Sequence, residues 1–81
     1  MVEVFITDIK KQVQAKRMIK TLEPVFPELR FNYDMDETEL SFPMGHTVLR
    51  VEGNNIDAQQ IISIVKKLGA NCEIMKDIVR P

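Results

Sequence analysis

The chain has one cysteine, one histidine, one tyrosine and no tryptophan. A single thiol closes no intrachain disulfide, so apolar packing must supply the stability. One histidine leaves little for nucleophile–base chemistry, and no Ser-His-Asp arrangement is present. The three glycines are taken up by turns and a helix cap. None remains for a glycine-rich phosphate loop. There is no basic excess either. The formal net charge of −1 removes the global field that holds a phosphate backbone. No apolar run approaches the roughly 20 residues that span a bilayer. The opening MVEVFITDIKK has no basic region ahead of its apolar run, so it does not read as a signal peptide. The cytoplasm is the expected location.

What is present is an ordinary globular balance, 44% hydrophobic and 28% charged in 81 residues. That length makes one domain, residues 1–81, with 76–81 a short tail. Val2, Val4 and Ile6 alternate with Glu3, Phe5 and Thr7 as a first strand, with the second set expected to face outward. Ala15, Met18, Ile19 and Leu22 form a helical stripe. Asp8 is the best capping candidate for that helix, and Pro24 and Pro27 mark its exit. Leu29, Phe31 and Tyr33 alternate as a second strand. Residues 35–46 read as a loop, and Thr47–Glu52 as a third strand. Asp57 and Gln60 have capping-box spacing. Ala58, Ile61, Ile62, Val65 and Leu68 form the second stripe, Gly69 is placed at the helix C-cap, and Asn71–Met75 is a fourth strand.

Ala15, Met18, Ile19 and Leu22 map onto Ala58, Ile61, Ile62 and Val65 with one offset of 43. The chain is therefore one β-α-β pattern written twice. Right-handed crossovers place both helices on one face of one sheet. The expected fold is an α+β, ferredoxin-like βαββαβ sandwich, an antiparallel sheet in the order 4-1-3-2.

Chemistry-bearing residues are few. Cys72 falls on the inward phase of the fourth strand and reads as a small hydrophobe. His46, near Met44, reads as a loop histidine. Asp34, Asp36, Glu37 and Glu39 concentrate charge, contributing to a local balance of −5 over residues 28–57, but lack the spacing and central glycine of a Ca²⁺ loop. Lys10, Lys11, Lys16, Arg17 and Lys20 make the outer face of the first helix. Nucleic acid is not expected, because the third strand has no aromatic residue for base stacking. On the open sheet face, Phe5, Val48 and Met75 are the candidate apolar surface for a protein partner or weak homodimer.

Three stretches carry a resemblance. VEVFITDIKKQVQAKRMIKTL, LRVEG and KKLGANCEI resemble the heavy-metal-associated, copper-chaperone-like domains. The resemblance implies the same ferredoxin-like fold. It also implies a metal loop, M-x-C-x-x-C, between the first strand and first helix, where two thiolates hold a soft ion. Here Ile9 stands at the Met position, and Lys11 and Gln14 at the two cysteines. The chain thus looks like a metal-free relative, of a kind met in short bacterial proteins. The expectation is a non-enzymatic interaction module with no cofactor, no membrane segment and no metal. The alternatives are an ACT-like small-ligand regulatory domain, and a metal carrier using His46, Cys72 or the methionines.

Overall fold

The alternating and 3.6-residue patterns become six elements in the computed structural model, which describes residues 1–36 and 46–75. These are β1 (Val2–Thr7), α1 (Gln12–Val25), β2 (Arg30–Asp36), β3 (His46–Glu52), α2 (Ala58–Lys67) and β4 (Cys72–Ile74). The strands form one antiparallel sheet in the order β2-β3-β1-β4. Counted from the other edge this is the expected 4-1-3-2. The two stripes meet the sheet in one core: Ala15, Met18 and Leu22 from α1, and Ile61 and Val65 from α2, are buried with Phe5, Phe31, Leu49, Val51 and Cys72. The fold is the ferredoxin-like α+β sandwich.

The caps of α2 follow the chain's local chemistry. The Asp57 carboxylate accepts from the Gln60 N–H at 3.2 Å, which satisfies one of the helix's orphan donors. At the other end Gly69 adopts φ 95°, where a Cβ is unfavourable. The Gly69 N–H then reaches the Lys66 carbonyl at 3.0 Å and the Ala70 N–H the Val65 carbonyl at 3.5 Å. Those two bonds are the Schellman pattern. At Gly53 an added Cβ would press on the end of the Leu29 side chain, which would have to shift.

Helix α1 departs from expectation at both ends. Its N-cap is Lys11, with no side-chain cap. Asp8 is used elsewhere: its two oxygens accept from the Asn71 N–H at 2.9 Å and the Asn71 Nδ2 at 2.7 Å. The carboxylate thus braces the end of β1 against the chain entering β4. Helix α1 also continues through Pro24 to Val25. In a last turn proline withholds only a single i→i−4 bond, and the helix ends with the Phe26 N–H on the Leu22 carbonyl.

The main correction concerns β1. Phe5 and Thr7, expected on the open face, are both fully buried. Phe5 pairs with Leu49 and Ile74, and Thr7 with Thr47 and Cys72, all inner-face positions. Val2, Val4 and Ile6 therefore point outward. Both rows of VEVFIT carry apolar side chains, so alternation alone does not choose between them. The choice is made by the volume of Phe5 against the helices, and by a polar knot. Thr7 Oγ1 donates to the Thr47 carbonyl at 3.1 Å, and Thr47 Oγ1 to the Ile9 carbonyl at 2.7 Å. Pairing of this kind offsets the cost of burying the two hydroxyls.

This phase is testable by paired substitutions. Phe5→Ala should cost about 3–5 kcal/mol in urea unfolding, the usual loss for a core phenylalanine. Ile6→Ala, one residue on, should cost clearly less. Equal losses, or the reverse order, would contradict the phase.

Candidate functional site

The passage from β1 into α1 is where the resemblance places a metal. Ile9 is nearly buried, at 6% exposure, and its N–H meets Thr7 Oγ1 at 3.4 Å. Lys11 is exposed at the N-cap of α1, and Gln14 is exposed in the first turn. The Gln14 N–H donates to the Lys11 carbonyl at 3.0 Å. Residues three apart on a helix are neighbours, so the spacing that would bring two thiolates together is kept. An ammonium and an amide stand there instead. A lysine ammonium has donors and no lone pair, and an amide oxygen is a hard ligand.

Beside this turn lies a cleft of about 180 Å³, bounded by Ile9, Gln14, Arg17 and Met18 on one side and by Leu68 and Gly69 on the other, with Asp8 at its edge. The elements that shape it are the start of α1 and the Schellman turn after α2.

Cys72 is the one thiol and lies on the inner face of β4, 2% exposed. Burial pushes its pKa up from 9.0 to about 11; Lys66 opposes the shift in part and Glu73 adds to it. A thiol so raised is neutral near pH 7, and it is the thiolate that attacks or binds metal. The backbone of His46 opens β3 opposite Asp36 rather than lying in a loop. Asp34 is exposed on β2. Glu37, Glu39 and Met44 lie outside the described residues. Among the described residues no group of three or more His, Cys, Asp or Glu side chains converges as a metal site, and no helix is long and apolar enough to cross a membrane. Lys10, Lys11, Lys16, Arg17 and Lys20 are exposed, as a solvated helix face requires.

The open sheet face is the remaining surface. Of the three residues expected there, Val48 and Met75 are on it and Phe5 is not. In Phe5's place stand Val2, Val4 and Ile6. Ile6 pairs with Val48, and the Met75 N–H donates to the Val4 carbonyl at 2.8 Å. Val2 is 55% and Met75 39% exposed, and Val4, Ile6 and Val48 are half-buried. Arg30, Asn32, Asp34, Arg50 and Glu52 flank this apolar row on β2 and β3. The outward valines and isoleucine were hidden from sequence reasoning because their row looked like core. The signal that could have found them is Thr7: it shares Phe5's phase and needs Thr47 opposite it to be buried.

No family model matches the chain, and no curated protein matches it. Among solved structures it is similar to the yeast copper transporter domain Ccc2a, determined in solution in apo and Cu(I)-loaded states. The TM-score is 0.64 at 16% sequence identity, covering 95% of this chain and 97% of that one. At that identity the likeness is one of fold: this chain has the heavy-metal-associated-like form of the ferredoxin-like sandwich.

Proposed function

We propose that the chain is a non-catalytic protein-contact module of heavy-metal-associated-like fold that works without a bound metal, in the cytoplasm, where a lone thiol stays reduced. The observation that carries the contact role is the uncovered row Val2, Val4, Ile6, Val48 and Met75 on the outer sheet face. Contiguous exposed apolar surface of this kind marks contacts between proteins. The described part of that face presents no aromatic ring, since Phe5 and Phe31 are buried and Tyr33 packs against the core. A contact with protein therefore fits it better than stacking on bases. The metal-free reading is supported by Lys11 and Gln14 in the first turn of α1, and by the burial of Cys72. The non-catalytic reading is supported by the hydroxyl bonding: Thr7, Thr21 and Thr47 each donate to a backbone carbonyl rather than to a base.

Sedimentation tests the contact surface. The wild-type chain should show a mass that rises with concentration, and Ile6→Asp, at an outward position, should remain folded and monomeric. A wild-type monomer at every concentration, with no change on Ile6→Asp, would remove the homodimer form of the proposal.

Copper titration tests the metal-free reading. The wild type should retain no Cu(I) against a soft-ligand competitor, whereas Lys11→Cys with Gln14→Cys should gain one tight equivalent, because the helical spacing of the pair survives. One-to-one binding by the wild type that Cys72→Ala abolishes would revive the metal carrier.

The thiol gives a pH test. Its folded pKa is raised, so the native state holds the proton between pH 9.0 and about 11 while the unfolded chain releases it. Stability then falls as pH rises through that window. Cys72→Ala should flatten this alkaline limb relative to wild type in urea titrations at stepped pH. An unchanged limb would show that Cys72 ionises as freely in the fold as out of it.

A further inference from the structure

The cleft between α1 and the end of α2 is a second place where chemistry is gathered, and it is independent of the sheet face. We propose that it binds a small zwitterion of the α-amino acid type with a short aliphatic side chain. The walls differ in charge. The α1 wall offers Arg17 and the Gln14 amide, both exposed. Arg17 has no ion-pair partner among the described residues. The opposite wall is the carbonyl end of α2, at Leu68 and Gly69, with the Asp8 carboxylate beside it. A helix C-terminus carries partial negative charge, and Asp8 adds a full one.

Asp8 and Arg17 thus line one cleft without pairing with each other. A ligand carrying both charges would complete both. Its carboxylate would accept from the Arg17 fork, the geometry a guanidinium presents best. Its ammonium would donate to Asp8 and to the α2 carbonyls. Asp8 is held for this role by Asn71, whose N–H and Nδ2 each bond one carboxylate oxygen and leave a second lone pair on each. Of the apolar residues lining the cleft, Leu68 is the exposed one, whereas Ile9 and Met18 are buried. The volume, about 180 Å³, gives room for a small organic molecule. The 43% exposure of Leu68, a large apolar residue at the mouth, is consistent with a surface that a bound side chain would cover.

The test uses the whole chain and named probes. L-valine, isobutyrate and isobutylamine are titrated separately while the backbone amide shifts of Gln14, Gly69 and Ala70 are followed. L-valine should move all three amides in a saturable way. The two singly charged analogues should bind at least about tenfold more weakly, since each leaves one wall unpaired. Arg17→Gln should weaken L-valine by a similar factor with the far amide shifts of the sheet unchanged, and Arg17→Lys should weaken it less. No saturable shift with L-valine would overturn the proposal. So would isobutyrate binding as well as L-valine, which would make the cleft a plain anion site, or unaltered L-valine binding by Arg17→Gln.

Discussion

Two buried threonines hold the molecule in register. Thr7 and Thr47 face each other across β1 and β3, both fully buried. Thr7 gives its proton to the Thr47 carbonyl, and Thr47 gives its own to the Ile9 carbonyl. A buried hydroxyl must find such a partner or lose its hydration without return. A slip of β1 by one residue would put Thr7 outside, break this exchange and turn every β1 side chain over. The bond to Ile9 also sets where the chain leaves the sheet. The start of α1, the cleft beside it and the apolar row outside all follow from that one register.

The two surfaces with something to offer are therefore products of the same arrangement. On the outer face the register lines up Val4 with Arg50 and Asn32, and Ile6 with Val48 and Asp34. An apolar row runs next to mixed charge on the same face. At the end of the sheet the same strand hands the chain to Lys11 and Gln14. There the exposed side chains are an ammonium and an amide. Cys72, the only soft sulfur of its kind in the chain, is spent on the core instead, opposite Thr7.

Much of the fold was readable because its signals are local. Asp57 and Gln60, Lys66 and Lys67, and Gly69 act within a turn of their own positions. The Asp57 carboxylate bond to the Gln60 N–H and the left-handed Gly69 are both present, while the return bond of the capping box from the Gln60 side chain is not made. The two stripes related by an offset of 43 are also local, since helical spacing alone puts Ala15, Met18 and Leu22 on one side. Where the deciding partner is distant in the chain, local signals point the wrong way. Asp8 looked like a cap and is a brace to Asn71, 63 residues away. Pro24 looked like a stop, yet it sits inside the last turn of α1. His46 looked like loop, and its backbone pairs across to Asp36.

The candidate site was legible only in its negative half. That Lys11 and Gln14 stand at the two thiolate positions is what the resemblance implies, and it is read from the residues alone. The cleft was not legible, because Arg17, Asp8 and Leu68 come from three separated segments. The outer face was half legible: Val48 and Met75 were placed, and Phe5 was not. By itself the sequence determined the elements, their order and the capping residues of α2, since each depends on neighbours along the chain. Which face of β1 is core was decided only by the tertiary structure. VEVFIT satisfies alternation in either phase, and the decision belongs to Leu49, Ile74 and Thr47, which the fold brings opposite it.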